Sequence, residues 1–247
     1  MTAAPAPVLV GCSHGTDSVA GRAAIASILV DVADARPELD VREAFVDVQH
    51  PEVDDVVGGA VEAAPVVVVP LLLSVGFHVK VDVARAVDRA GAAAARPLGP
   101  DPRLVDILVE RLAEAGLGDA DAVVLAAAGS TDPAAAAAVR EVVAALGRRL
   151  RRAVTVGYGA GAEPRVPAAV DAARARVAPD GRVVVASYLL APGYFLDRVH
   201  EAGADVVTAA LAPDPRLAQI VLDRYDELAG AAARSWSAPE PAAGATR

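Results

Sequence analysis

The chain contains an internal repeat, and this repeat constrains its fold more than any other feature. The matching segments are Val8–Asp17 with Val123–Asp132, Leu72–Gly76 with Leu189–Gly193, and Pro100–Leu104 with Pro213–Leu217. Three matches in the same order at nearly constant spacing indicate a duplicated structural unit. The 247 residues are therefore predicted to form two similar domains.

Each repeat alternates valine-rich runs of strand length with alanine-rich segments of helix length, which is typical of parallel βαβ units. The expected strands are Val8–Ser13, Val41–Asp47, Val66–Leu71, Ala122–Ala127, Val154–Tyr158, Val183–Tyr188 and Val206–Ala209, with a further extended segment at Arg96–Leu98. Helices are expected to begin at Asp101, Asp132 and Asp214, each followed by Pro. Asp caps helix N-termini and Pro suits the first helical position.

This pattern predicts an α/β protein of two flavodoxin- or Rossmann-like domains, each a small parallel sheet with helices on both faces, with a ligand cleft between them. The expected divisions are a flexible N-terminus over residues 1–6, a first domain over 7–118, a second over 119–230 and a disordered tail over 231–247. Because two fused copies can complete a cleft within one chain, the protein is expected to be a monomer.

The net charge of −9 and the aromatic content of 3% disfavour nucleic acid and anionic membranes as partners, since neither overall charge nor stacking would hold them. The longest uncharged apolar stretch, Ala63–Phe77, is shorter than a membrane span and contains Pro65 and Pro70. The single cysteine, Cys12, cannot form an internal disulfide, and the N-terminus lacks the pattern of a leader peptide. The chain is therefore expected to be cytoplasmic.

The two repeats differ at the carboxyl ends of their strands, where parallel α/β sheets bind ligands. The alignment pairs His14 with Gly129 after the first strand and His78 with Phe195 after the third. Asp47, after the second strand, is paired with an alanine. The first domain is thus predicted to carry a site that the second lacks.

Two imidazoles and a carboxylate at one sheet edge could hold a divalent transition metal, with His14 and His78 as ligands. Asp82 lies four residues after His78. On a helix the two would share a face, so Asp82 could orient the imidazole, or it could be a solvated helix residue. His50 and His200 are interpreted as structural or solvent-facing.

Other chemistries fit this sequence less well. The turn Gly11–Asp17 lacks both the G-x-G-x-x-G and the G-K-[ST] patterns, so no nucleotide or other organic cofactor is indicated. A histidine phosphatase would carry a cation beside its nucleophilic histidine, whereas Ser13 precedes His14.

Three segments resemble the class II tetrapyrrole chelatases of the sirohydrochlorin cobaltochelatase and ferrochelatase type. These are Ser13–Thr16 (SHGT), Ala44–Asp47 followed by Pro51, and Pro70–His78 followed by Asp82. The resemblance covers both repeats. It implies that His14 and His78 bind the metal and accept protons, and that Asp47 stands where the family commonly has a glutamate.

The sequence departs from the family pattern in two ways. The family often has an arginine directly after its S-H-G-[ST] element, whereas this chain has Asp17 and Ser18. The second repeat lacks both histidines and resembles a copy that keeps the cleft wall without the metal site. Candidate substrate contacts are Ser13, Thr16, Lys80, Arg85 and Arg198, although the three basic residues could equally be exposed helix charges.

The resemblance implies ATP-independent insertion of Fe²⁺ or Co²⁺ into sirohydrochlorin, in siroheme or cobalamin biosynthesis. Two pyrrole protons must leave as the dication enters, and an imidazole, with an ordinary pKa of about 6.5, is a suitable base near neutral pH. Two alternatives stay open at this point: a non-catalytic carrier of metal or tetrapyrrole, and a phosphatase-like hydrolase with His14 as nucleophile.

Overall fold

A computed structural model gives the structure of the chain and describes residues 5–76 and 79–236, without the side chains of residues 79 and 80. The strands are β1 (Val8–Ser13), β2 (Val41–Phe45), β3 (Val66–Pro70), β4 (Ala92–Ala94), β5 (Ala122–Ala127), β6 (Val154–Tyr158), β7 (Val183–Tyr188) and β8 (Val206–Val207). The helices are α1 (Val19–Ala35), α2 (Val53–Val61), α3 (Ala84–Ala86), α4 (Pro102–Glu114), α5 (Pro133–Leu150), α6 (Val166–Arg174), α7 (Tyr194–His200) and α8 (Pro215–Ser235). A π-helical turn, Val79–Val83, precedes α3.

The strands form two parallel sheets of the same topology. The strand orders are β2-β1-β3-β4 in the first half and β6-β5-β7-β8 in the second, with four strands each. Within each sheet the first and third strands of the repeat are neighbours, as in the pairs Cys12 with Pro70 and Ala126 with Ser187. The predicted α/β class and the duplicated parallel sheet are confirmed.

Most of the sequence-based elements are confirmed, and the exception has a local cause. Asp101, Asp132 and Asp214 each accept a hydrogen bond from the backbone N–H two residues later, as N-cap residues do. The extended segment predicted at Arg96–Leu98 is wrong, because the fourth strand is Ala92–Ala94. Alanine is depleted in strands, so this segment gives almost no strand signal.

The last helix of each repeat packs on the sheet of the other repeat. Helix α4 contacts β7 and α5 of the second half, whereas α8 contacts β3, β4 and α1 of the first half. One buried apolar cluster runs through both halves and includes Leu9, Leu104, Leu125 and Leu217. The two repeats are therefore joined by a common core.

Two arginines at equivalent positions fix this helix exchange. Arg224 of α8 is 1% exposed and donates to the carbonyls of Pro97 and Leu98, at 3.2 Å each, and to Asp101 at 3.0 Å. In the reciprocal contact, Arg111 of α4 donates to carbonyl oxygens of the second half. Burial opposes the ionisation of Asp101, but hydrogen bonds from Arg103 and Arg224 outweigh it and hold the pKa of Asp101 below its ordinary value.

Helix α8 ends later than the sequence indicates. It continues to Ser235, so the prediction of a disordered tail from residue 231 is wrong for residues 231–236. Alanines at 231–233 favour the helix. Trp236 then donates its indole N–H to the Val61 carbonyl at 2.8 Å, which ties the end of the helix to the first half. Residues 237–247 lie outside the described part of the chain.

Replacing Arg224 should destabilise the protein strongly. Arg224→Ala leaves the buried carbonyls of Pro97 and Leu98 without their donor and Asp101 with Arg103 as its remaining partner. We expect the free energy of unfolding to fall by about 2–4 kcal/mol in urea denaturation at neutral pH. Arg111→Ala is the matched control. Its guanidinium is 19% exposed and binds carbonyls and a surface glutamate, so a loss of about 1 kcal/mol is expected. Equal losses of unfolding free energy in the two variants would contradict the conclusion that Arg224 makes the stronger contact between the halves.

Candidate active site

A cleft of about 720 Å³ opens between the two halves. It is lined by the segments that follow β1 and β3 in the first half and β5 and β7 in the second, so both sheets contribute their carboxyl ends. This is where open parallel sheets bind ligands, and the volume suits a small-molecule site.

The floor of the cleft is apolar and crosses from one half to the other. The apolar lining that we call the floor includes Leu71 and Leu73 of the first half and Tyr188 and Leu190 of the second. The Tyr188 hydroxyl donates to the Leu73 carbonyl at 3.1 Å, and burial together with the charge of Asp101 raises the pKa of this phenol. The floor is thus held in place by a buried hydrogen bond between the halves.

His14 lies on the first-half wall, directly after β1, where it is exposed and lines the cleft. The next residue, Gly15, has a φ of +89°, and a Cβ there would lie 2.6 Å from the Asp47 carbonyl oxygen. Only glycine adopts this conformation without strain in so tight a space. The turn after β1 therefore packs directly on the loop after β2 and directs the chain at His14 toward the cleft.

The structural counterpart of His14 is Ala128, and the pairing with Gly129 made from the sequence is wrong by one residue. Gly15 and Gly129 have nearly the same positive φ, +89° and +86°, and each abuts a carbonyl oxygen of the loop after the second strand, at Asp47 and Ala160. These glycines fix the register of the two turns. The conclusion drawn from the alignment is unchanged, because neither residue of the second half carries an imidazole.

The loop after β2 braces the turn that carries His14. The side-chain carbonyl of Gln49 accepts the Thr16 backbone N–H at 2.8 Å. Asp47 accepts the N–H of Val48 at 2.8 Å. Val48 has a φ of +56°, which is unusual for a β-branched residue and indicates a conformation maintained by its surroundings.

The structure does not bring Asp47 into the cleft. Its side chain is exposed and is absent from the lining, whereas Glu43, four residues earlier on β2, lines the cleft. Burial raises the pKa of the Glu43 carboxyl. Within the described part of the chain, Glu43 has no hydrogen-bond or ion-pair partner. Sequence reasoning missed it because it considered only residues after the strands, and Glu43 lies inside one.

The remaining sequence candidates fall into two groups. Ser13 and Thr16 line the cleft. Arg85 and Arg198 are exposed residues outside its lining. Arg198 forms an ion pair with Glu201 at 2.9 Å.

His78 lies outside the described residues, and the side chain of Lys80 is likewise not described. Asp82 is half-buried in the π-helical turn, and its negative charge adds to the burial that raises the pKa of the Cys12 thiol to about 12.

Most of the aromatic residues of the chain line the cleft. The chain has three Phe, four Tyr and one Trp. Those that line the cleft are Phe45, Tyr158, Tyr188, Tyr194 and Phe195. Tyr194 and Phe195 meet edge to face, with ring centroids 5.5 Å apart, and the Arg198 guanidinium lies 5.4 Å from the Tyr194 centroid. This arrangement gives the second-half wall an aromatic surface where the first half has the sequence Phe77-His78.

Neither a preformed metal cage nor a membrane span is found in the residues that the structure describes. No three His, Cys, Asp or Glu side chains at 5–76 and 79–236 cluster as metal ligands would. No helix in these ranges has the length and apolar character needed to cross a bilayer.

Comparison with a family model gives a match in each repeat. The model, described as CbiX, matches residues 8–115 and again residues 122–228. The two matches together span most of the chain and correspond to the two repeats seen in the sequence.

Two curated relatives have related names. Sirohydrochlorin ferrochelatase of Priestia megaterium is 28% identical over 169 residues, covering 64% of this chain and 63% of that protein. Sirohydrochlorin cobaltochelatase of Sulfolobus acidocaldarius is 36% identical over 81 residues, covering 30% of this chain and 66% of that protein. The chain therefore spans slightly less than two thirds of the length of either relative.

Solved structures show the same two-domain fold. SirB from Bacillus subtilis with Fe³⁺ has a TM-score of 0.78 at 18% identity, covering 95% of this chain and 100% of that chain. The sirohydrochlorin chelatase SirB from Bacillus subtilis subspecies spizizenii in complex with cobalt has a TM-score of 0.73 at 19% identity, covering 94% and 98%. At these identities the likeness establishes the fold.

Proposed function

The chain belongs to the CbiX family, and on that basis we propose that it is a chelatase that inserts Fe²⁺ or Co²⁺ into sirohydrochlorin without ATP. The observation that carries the proposal is the position of His14 in a cleft between two sheets, on a wall whose counterpart carries no imidazole. The relatives named as sirohydrochlorin ferrochelatase and cobaltochelatase support the substrate and the metals. Both metals suit imidazole and carboxylate ligands, so the site itself does not select between them.

The reaction exchanges two protons for one dication. As the metal ion binds the pyrrole nitrogens, two N–H protons must leave the macrocycle, and a nearby base lowers the barrier to their departure. His14 is proposed to contact the metal first. Once the metal has passed to the macrocycle, the freed ring nitrogen of His14 is the proposed proton acceptor. His78 is proposed as the second imidazole, on the family resemblance alone.

Glu43 is the proposed carboxylate of this wall. It lies on the same half as His14 and lines the same cleft, so its negative charge attracts the incoming dication to that side of the macrocycle. Its raised pKa follows from partial burial, and partial burial also strengthens its attraction for a cation. Asp47, which the family resemblance suggests for this role, is exposed and binds the Val48 N–H instead.

The shape and chemistry of the cleft suit a large conjugated ring. Its floor is made of leucines and buried tyrosines, and Tyr194 and Phe195 present aromatic surface on the second-half wall. Aromatic side chains pack favourably on other aromatic rings by offset stacking or edge contact. The second half thus supplies binding surface for the macrocycle, while the first half supplies the reactive groups.

Both walls of the cleft come from one chain, which supports the expectation of a monomer. The cytoplasmic location and the absence of a nucleic-acid or membrane partner stay predictions from the sequence.

Removal of the His14 imidazole should abolish most of the activity. We expect His14→Ala to lower kcat for metal insertion by about 10²–10⁴-fold, because it removes the proposed proton acceptor. The measurement is the visible absorption change of sirohydrochlorin with Co²⁺ or Fe²⁺ under anaerobic conditions and substrate excess. His200→Ala, an exposed residue at the end of α7, should retain activity within about twofold. Undiminished turnover in His14→Ala would refute the mechanism, whereas stoichiometric binding by the wild type without turnover would favour a carrier.

The two carboxyl candidates can be ranked in the same assay. We expect Glu43→Gln to lower kcat/KM for the metal by about tenfold or more, because it removes a negative charge from the cleft wall. Asp47→Asn should have the smaller effect, since its carboxyl is exposed and bound to the backbone. The opposite order would assign the catalytic carboxylate to Asp47.

A further inference from the structure

Arg22 is the only guanidinium or ammonium group among the described side chains that line the cleft. It lies in the first turns of α1, and its Nη2 donates to the Asp17 carbonyl at 3.2 Å. It forms no ion pair with any carboxylate in the described part of the chain. The guanidinium is therefore fastened at one point, with its remaining N–H donors available to a ligand.

Arg22 has no basic counterpart at the equivalent position of the second half. The left-handed glycines Gly15 and Gly129 set the equivalence of the two halves after their first strands, and by the same spacing the counterpart of Arg22 is Ala136. Ala136 also lines the cleft. The duplicated fold thus provides the same position twice, but only the His14 wall places a positive charge there.

The other Asp, Glu, Lys and Arg residues among the described lining of this wall are acidic. Asp17 and Glu43 line the cleft and are acidic, and the whole chain has a net charge of −9. Among the described side chains of this wall, Arg22 is the one whose charge attracts a ligand that carries several carboxylates. A guanidinium can bind a carboxylate through two parallel hydrogen bonds, which fixes orientation as well as position.

We propose that Arg22 binds a peripheral carboxylate of the tetrapyrrole and thereby sets which edge of the ring faces His14. This inference rests on the proposed function for the identity of the ligand. The family often has an arginine directly after its S-H-G-[ST] element, where this chain has Asp17 and Ser18. Arg22 would supply a cation for the substrate in its place. Arg85 and Arg198, the arginines suggested by the sequence, lie outside the cleft lining.

The test is a binding titration of metal-free sirohydrochlorin, followed by its visible absorption, with wild type, Arg22→Gln and Arg22→Lys. We expect Arg22→Gln to raise the Kd, and the KM for sirohydrochlorin, by roughly tenfold to a hundredfold, because a charge-assisted pair is lost. Arg22→Lys keeps the positive charge but cannot form the bidentate pair, so its Kd for sirohydrochlorin should lie between those of wild type and Arg22→Gln. The kcat of Arg22→Gln should fall as well, because part of the bound macrocycle then presents the wrong edge to His14.

Arg176→Gln is the matched control. Arg176 is exposed and follows α6, which runs from the carboxyl edge of its sheet back toward the amino edge, away from the cleft. The Kd of Arg176→Gln for metal-free sirohydrochlorin should equal that of wild type. The thermal midpoint of each variant confirms folding, and Arg22→Lys retains a donor for the Asp17 carbonyl should the glutamine variant unfold.

A second ligand separates charge recognition from general loss of binding. With the methyl-esterified macrocycle, which lacks the carboxylates, wild type and Arg22→Gln should bind equally. An unchanged Kd for sirohydrochlorin in Arg22→Gln, or an equal loss with both ligands, would overturn the inference. Failure of the proposed function looks different, because the wild type would then show no turnover above the spontaneous rate whatever the effect of Arg22 on binding.

Discussion

The buried ion pair between Arg224 and Asp101 is the contact on which the cleft depends. Arg224 also binds the Leu98 carbonyl, and the Leu98 N–H in turn binds the carbonyl of Leu72, a residue of the cleft lining. A buried guanidinium requires compensation for its lost hydration, and the two carbonyls and the Asp101 carboxylate of the first half provide it here. The exchange of α4 and α8 therefore connects the fold of one half to the cleft wall of the other.

Duplication has produced two similar walls, and the differences between them are local. The tight turn after the first strand is built the same way twice, around Gly15 and Gly129. On one side it carries His14, with Glu43 and Arg22 nearby on the same half. On the other side alanines occupy the positions of His14 and Arg22, and Tyr194 and Phe195 supply aromatic surface. A nearly symmetric scaffold can thus hold a ring against one wall while the chemistry takes place at the other.

The sequence was sufficient to predict the α/β class and the two duplicated parallel sheets. The repeat indicates the duplication, and the valine-rich runs indicate strands that are buried on both faces of a sheet. The sequence also located His14, since a residue directly after a buried strand lies at the sheet edge. It could not locate Glu43 or Arg22, whose roles depend on which face of β2 and of α1 borders the cleft. Nor could it find β4, whose three alanines lack the signature of a strand, or the exchange of α4 and α8, which is a long-range packing choice.

The central claim is that the metal binds at the His14 wall of the cleft and not at the equivalent wall of the second half. It is tested most directly by X-ray diffraction at the cobalt absorption edge from crystals of the full chain soaked in Co²⁺. We expect an anomalous peak about 2.1 Å from a ring nitrogen of His14, the usual distance between a first-row divalent metal and an imidazole nitrogen, and none beside Ala128. A strongest peak in the second half, or a cleft without cobalt at saturating concentration, would contradict it.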